Sequence, residues 1–262
     1  MNHDPVLRSD SGAVALLTLN RPAVLNSFDR PMALRLQEHL AACASDPAVR
    51  AVLVTGAGAG FCAGQDLNEF LASSGDAAVL GATVEASYNP VIRAIRGLER
   101  PVVCALNGVA AGAGANLALA CDFVLAAEGA TLVQSFSRIG LVPDSGGSFF
   151  LPRLVGLARA TELIMLGDKI TAAEAARCGL IHRVVPDREL MARAQALALR
   201  LAAMPTVALG LAKRLLNQSL TNSLEEQLAL ERDLQTLAGK TADFREGVAA
   251  FLEKRRPSYR GC

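Results

Sequence analysis

Four short runs of apolar residues set the main limit on how this chain can fold. They are "AVALLTL" (13–19), "AVLVT" (51–55), "VVCAL" (102–106) and "FVLAA" (123–127). Each reads as a strand, and "VVCAL" as one buried on both faces. Helical patterns separate them. Met32, Leu36 and Leu40 recur at four-residue spacing after a start near Ser27 or Asp29, with Pro31 in the first turn. A second helix is predicted over about 85–98, closed by Pro101, which disfavours helix in the residue before it. The polar stretch around 72–84 reads as a variable connection. A short Ala- and Leu-rich helix precedes residue 123, and another helix covers about 145–166. Thr171 caps a further helix that Gly179 stops, and a strand follows it. Strands alternating with helices predict an α/β fold with mostly parallel pairing.

From Asp187 onward the pattern is almost wholly helical, interrupted at Pro205 and Pro257. The expected organisation is a core over 1–195 and a helical C-terminal region over 196–262. "VALGLAKRLLNQSL" and "LEEQLALERDLQTLA" are amphipathic at helical period, with little core left to meet them. Packing against another subunit would bury those faces.

Composition removes several function classes. A formal net charge of +1 gives no electrostatic footprint for nucleic acid. No apolar run reaches the length of a membrane span, and "MNHDPVLRSD" lacks the charged-then-apolar order of a signal peptide, so a soluble, cytoplasmic protein is expected. The basic cluster Lys254, Arg255 and Arg256 reads as a solvated helix end. Cys43, Cys62, Cys104, Cys121, Cys178 and Cys262 show no CxxC spacing, and the three histidines are scattered. Reduced, mostly buried thiols and no metal site are expected.

The chemistry should lie in two glycine-rich stretches. "AVLVTGAGAGFCAGQDL" (51–67) looks at first like a nucleotide loop, but its glycines fall at the first, third and fifth positions and Phe61 at the sixth. GxGxxG therefore fails, as does TGxxxGxG at Cys62, and no GK[ST] follows for a P-loop. "VVCALNGVAAGAGANL" places Gly108, Gly112 and Gly114 where a strand turns into a helix. Free N–H groups at such a start favour negative charge, and two donors from separate loops aimed at one carbonyl oxygen make an oxyanion hole. The same glycines would equally permit tight helix–sheet packing.

"FCAGQDL", "NGVAAGAGANLALACD", "IGLVPDSGGSFFLPRLVG" and "GDKITAAEAARCGLIHRVVP" through "AFLEKR" together resemble the crotonase family of enoyl-CoA hydratases and isomerases, in order and over nearly the whole chain. The resemblance implies a ββα spiral core, a C-terminal helical trimerisation region, a homotrimer or dimer of trimers (a hexamer), and an acyl-CoA thioester substrate, with coenzyme A as part of that substrate and no separate cofactor. It implies that the backbone N–H groups of Gln65 and Ala113 polarise the thioester carbonyl, with Ala63, Gly64, Gly112 and Gly114 giving room. Asp66 and Leu67 fall where the family touches the adenine end of CoA. Gly56, Gly58 and Gly60 then only shape the turn.

Hydratases of the family use two glutamates. The matching positions here are Asn116, in "GANLAL", and Phe136, in "VQSFSRIG". A phenyl ring transfers no proton, and an amide is a poor acid or base. Asp144, in "LVPDSGG", is the remaining ionisable candidate. Its position fits a helix N-cap, and it also matches the acid/base aspartate of several isomerases of the family. Phe136, with Phe149 and Phe150, would keep the pocket dry. Within the family, "LNRPAVLNSF", "YNPVIRAI", "FSRIGLVPDSGG" and "LERDLQTLAGKTADFREGV" look most like the isomerases that turn a ring-epoxide thioester into an oxepin thioester in phenylacetate breakdown. Many members carry a basic residue near the CoA phosphates where this chain has Ala23; Lys254 beside Phe251 is the substitute expected here. The alternatives are a Δ3,Δ2-enoyl-CoA isomerase or hydratase of fatty-acid breakdown, and a non-catalytic binding module.

Overall fold

The computed structural model describes residues 4–72 and 77–262. Ten strands fall into two sheets. The larger contains β1 (Val6–Ser11), β2 (Val14–Leu19), β3 (Ala51–Gly56), β5 (Val102–Leu106), β7 (Phe123–Ala127) and β10 (Arg183–Val185), in the order β1-β2-β3-β5-β7-β10. The smaller runs β4 (Gly60–Cys62), β6 (Val109–Ala111), β8 (Thr131–Val133) and β9 (Lys169–Thr171). Only β1 with β2 and β8 with β9 pair antiparallel; every other pair is parallel. β3, β5 and β7 of the first sheet each feed a short strand of the second and then a helix, so the chain climbs as a ββα spiral.

The helices are α1 (Arg30–Ser45), α2 (Leu67–Ala72), α3 (Ala77–Thr83), α4 (Asn89–Gly97), α5 (Ala113–Ala120), α6 (Gly147–Leu166), α7 (Ala172–Arg177), α8 (Leu190–Ala202), α9 (Thr206–Gln218), α10 (Leu224–Gly239) and α11 (Ala242–Leu252). α1 starts where expected, with the Asp29 carboxylate accepting from Met32 N at 2.9 Å. α6 is broken at Gly156, whose φ of 75° lies outside the helical region. Residue 195 lies within α8, a helix that packs on β3, β5 and β7 and buries Ala194, Ala198 and Leu201 there. Among the described residues no single helix is long and apolar enough to cross a membrane.

Two departures from the sequence expectations have physical causes. The region 72–84, expected to be a polar connection, is helical over Ala77–Thr83; residues 73–76 lie outside the described residues. A wide turn over Val84–Tyr88 then leads into α4, with Asn89 N donating to the carbonyl of Val84, five residues back. Pro90 has no N–H for the Ala86 carbonyl, and Gln37 Nε2 reaches that oxygen instead at 3.3 Å and Ser87 O at 3.0 Å. The second departure is the small sheet itself, whose strands of three residues are too short to show a period of two.

Two asparagines, Asn26 buried and Asn107 half-buried, hold the glycine turns between the sheets. Asn26 Nδ2 donates to Ala57 O at 2.9 Å and Gly60 O at 2.8 Å. Asn107 accepts from Gly56 N at 3.1 Å and donates to Gly58 O at 3.0 Å. A Cβ on Gly108 would overlap the Ala59 carbonyl, and one on Gly114 the Cys62 carbonyl. These two glycines therefore serve close layer packing.

At the far end of the chain, Arg50 donates to Thr206 Oγ1 at 2.8 Å and to the carbonyl of Tyr259 at 2.9 Å. Buried Asp243 accepts from Arg260 N at 2.7 Å and Gly261 N at 2.8 Å, so the last residues fold back against the body.

Candidate active site

The two glycine loops meet. Gly64 has a φ of +89°, and a Cβ there would stand 2.8 Å from Ala111 O and 3.7 Å from Ala113 N. Phe28 N donates to Gly64 O at 2.7 Å and Asp66 N to Phe28 O at 2.9 Å, which pins Gln65 between two anchored neighbours. Gly112, at φ +50°, gives its N–H to Val133 O at 2.9 Å and opens α5 at Ala113. Neither the Gln65 nor the Ala113 N–H donates to an acceptor among the described residues. Gly64 and Gly112 adopt positive φ, whereas Gly108 and Gly114 leave no room for a Cβ, so the packing use foreseen for these glycines holds at Gly108 and Gly114.

Asp144 lies beside them. It does not cap α6: the cap position is Gly146, with no side-chain cap bond, and it is the Asp144 carbonyl that accepts from Gly147 N at 2.9 Å. Its Oδ1 is out of solvent and has no hydrogen-bond partner among the described residues. Burial pushes the carboxyl above its ordinary value, with the Ser145 side chain pulling the other way. The chain turns away at once through Ser145 and Gly146, with φ of 50° and 79°.

Asn116, fully buried, donates from Nδ2 to the Asp144 carbonyl at 2.9 Å and accepts at Oδ1 from Gln134 Nε2 at 2.8 Å. A Cβ on Gly147 would collide with the Asn116 amide. The side chain at the first glutamate position is thus held by its neighbours on both sides. Phe136, buried, lays its ring against the Gly112 turn, 3.4 Å from where a Cβ on Gly112 would be. A void of only about 10 Å³ lies against Ala113, lined also by Phe28, Tyr88, Val91, Ile92, Leu117 and Ser145. Tyr88 and Phe28 pack edge to face with ring centroids 5.7 Å apart.

Of these residues, Tyr88, Phe28, Ser145 and Gln134 were not singled out from sequence. Tyr88, Val91, Ile92 and Ile95 do share a helical face, which was the available signal; Gln134 offered none.

The residues expected to meet CoA behave differently. Asp66 is buried and its carboxylate is taken up by Arg21 at 2.9 Å and by Asn68 N at 3.1 Å. Arg21 also pairs with Asp29 at 3.2 Å. Leu67 is exposed at the start of α2, and Ala63 is half-buried, its N–H on Leu25 O. Phe251 is 83% exposed, with Lys254 exposed beyond it. Phe251 lines a groove with Pro205, Ala208 and Gln235, not the void at Ala113. One chain therefore does not bring Phe251 to the void at Ala113. A large cleft of about 760 Å³ also lies elsewhere, between α4, α6 and α9.

Two converging main-chain donors stabilise charge developing on a carbonyl oxygen. A carboxylate with raised proton affinity can act as base and then as acid. Residues 9–261 match the family model described as enoyl-CoA hydratase/isomerase. The chain is 52% identical to a 1,2-epoxyphenylacetyl-CoA isomerase of Escherichia coli strain K12, over 95% of each chain. It is 44% identical to a probable enoyl-CoA hydratase of Rhodobacter capsulatus, over the full length of both. The crystal structure of an enoyl-CoA hydratase from Polaromonas sp. JS666 superposes with a TM-score of 0.92 at 38% identity, covering 97% of this chain and 99% of that one. With fold, loop geometry and relatives in agreement from end to end, this chain belongs to the enoyl-CoA hydratase/isomerase, or crotonase, family.

Proposed function

We propose that the protein is an acyl-CoA isomerase in which one carboxylate moves one proton. The thioester oxygen lies between the N–H groups of Gln65 and Ala113, where charge gathers as the α-carbon loses its proton. Asp144 removes that proton and returns it to another carbon, leaving the atom count of the substrate unchanged. The substrate that best fits is the 1,2-epoxide of phenylacetyl-CoA, rearranged to the oxepin thioester during phenylacetate breakdown. A relative at 52% identity carries the name of that isomerase.

The observation that carries this proposal is the contrast between Asp144 and its neighbours. Its Oδ1 is buried and unpartnered, whereas the two glutamate positions hold an amide locked to Gln134 and a phenyl ring on Gly112. Hydration needs a second proton-handling group and an ordered water, and Phe136 occupies that side. Incubation with a panel of acyl-CoAs in D2O tests the proposal. Deuterium on carbon with no gain of water supports isomerisation; a 3-hydroxyacyl product at comparable rate refutes it.

Assembly is part of the same proposal. Phe149, Leu154, Leu216 and Leu220 line the large cleft and are all substantially exposed in one chain. A trimer, or a dimer of trimers, would cover them and bring the Phe251 and Lys254 region of one copy to a neighbour's CoA. Sedimentation of a stable 27.4 kDa monomer at micromolar concentration contradicts this.

A further inference from the structure

Gln65 sits on a bridge that belongs to neither sheet. Phe28 pairs with it in parallel, giving its N–H to Gly64 O at 2.7 Å and its carbonyl to Asp66 N at 2.9 Å. Strand pairing of so few residues is marginal without support from its flanks. Upstream, the support is main-chain: Ala63 N donates to Leu25 O at 3.0 Å. Downstream the chain enters α2, and side chains make the ties. One is exposed, Glu69 accepting from Arg30 N at 3.1 Å. The other joins the buried carboxylate of Asp66 to Arg21.

The Arg21 guanidinium donates through Nη1 to Ser27 O at 2.5 Å and through Nη2 to Asp66 Oδ2 at 2.9 Å, and Nη2 lies 3.2 Å from Asp29 Oδ2. Ser27 and Asp29 flank Phe28, and Asp66 follows Gln65, so one planar fork grips both sides of the bridge. Arg21 is itself anchored. Its N–H donates to Asn26 Oδ1 at 2.8 Å, and its carbonyl accepts from Asn26 N at 2.9 Å. Asn26 is fully buried and donates onward to Gly60 O at 2.8 Å. Without the guanidinium, the Asp66 carboxylate keeps only the Asn68 N–H, at 3.1 Å and within its own loop, among the described residues. Two carboxylates that shared one cation would then repel each other.

Resting on the oxyanion role proposed above for Gln65, we infer that Arg21, acting through Asp66, is the positioning residue that aims the Gln65 N–H at the thioester oxygen. It touches no substrate and moves no proton. Its loss weakens the pull on the carbonyl more than the hold on the rest of the ligand. Lysine is no substitute, because an ammonium is a point charge and lacks the rigid fork that spans these oxygens.

A chromophoric thioester, 4-(dimethylamino)cinnamoyl-CoA, reads this aim directly. Hydrogen bonds to its carbonyl oxygen draw electrons from the amine across the ring and move its absorbance to longer wavelength. One titration gives both Kd and the shift at saturation. The native protein is expected to shift the band to the red. Arg21→Gln and Arg21→Lys should lose roughly half of that shift or more, since one of two donors is misdirected. Their Kd should weaken by no more than about tenfold, the scale of one neutral hydrogen bond. Circular dichroism melts accompany both variants, and Arg21→Lys, which keeps the charge, carries the test if Arg21→Gln does not fold. A folded variant that melts lower but keeps the full shift has lost stability and not aim, and overturns the inference alone. No shift in the native protein overturns the oxyanion role of Gln65 and this inference with it.

Discussion

The side-chain amide of Asn116 donates to the main-chain carbonyl of Asp144 at 2.9 Å, and Gln134 in turn fixes that amide at 2.8 Å. In a hydratase the corresponding position does chemistry; here it holds a loop. Asn116→Asp is close in size but cannot donate to the carbonyl when ionised. It is expected to lower kcat about tenfold or more while KM changes less, because Asp144 is displaced and the CoA contacts are not. Steady-state kinetics with a thermal melt check this, and an unchanged kcat in a folded variant removes the positioning role.

Asp144→Asn should retain acyl-CoA binding and lose about 100-fold or more in turnover, the range of general acid–base contributions. Isothermal titration beside a turnover assay separates the two quantities. Near-normal turnover would sink the mechanism.

The pH dependence of the native protein follows from the raised proton affinity of Asp144. Proton removal needs the carboxylate, so kcat/KM should fall as pH drops through a value above the ordinary aspartate pKa of about 3.9. Stability runs the other way. The folded state holds this proton to higher pH than the unfolded chain, so stability is lost as pH rises from the unfolded pKa to the folded one. Asp144→Asn should therefore melt higher than the native protein at neutral pH, with the difference vanishing below the ordinary carboxylate range. A melting difference that grows on acidification contradicts this sign.

Gln65→Ala should keep most of the activity, because the donor proposed at that position is main-chain. Ala113→Pro removes the other donor at the first residue of α5, a place where proline is tolerated in helices. A loss of roughly 100- to 1000-fold in turnover is expected, with circular dichroism confirming the fold. Full turnover in a folded Ala113→Pro protein would mean the donor is misassigned.

Leu216, 70% exposed on α9, faces the large cleft with Phe149 and Leu220. Leu216→Glu should shift the sedimentation profile towards monomer. An unaltered profile would place the subunit contact elsewhere.

How far the sequence was legible depended on element length and on which atoms do the work. The five- and six-residue strands of the main sheet stood out as unbroken apolar runs. β1 did not, because "VLRSDS" buries only Val6 and leaves its second half exposed. The three-residue strands of the small sheet carry too few side chains for any pattern. Gln65 and Ala113 entered only through a resemblance, since the main-chain role proposed for them leaves no trace in the identity of its own side chain. Asp144 was visible as the remaining carboxylate, while its freedom from capping required the backbone of Ser145 and Gly146. Tyr88 was hidden in an apolar helical face, where a hydroxyl looks like core. Asp66 was expected at CoA, and its carboxylate proves to be spent on Arg21.

The clamp of Arg50 on Tyr259 joins residues 209 apart in sequence. Its partners beyond residue 200 (Met204, Thr206 and Tyr259) leave the ribosome after every strand of the main sheet. β2, β3, β5 and β7 can pair and bury their faces before any of them exists, while the Arg50 guanidinium waits in solvent. Closure across so long a stretch comes late on entropic grounds as well. Newly made chains should thus pass through a stage with a formed sheet and an undocked helical tail. At that stage the apolar faces of α9 and α10 are open to chaperones and to other nascent copies alike.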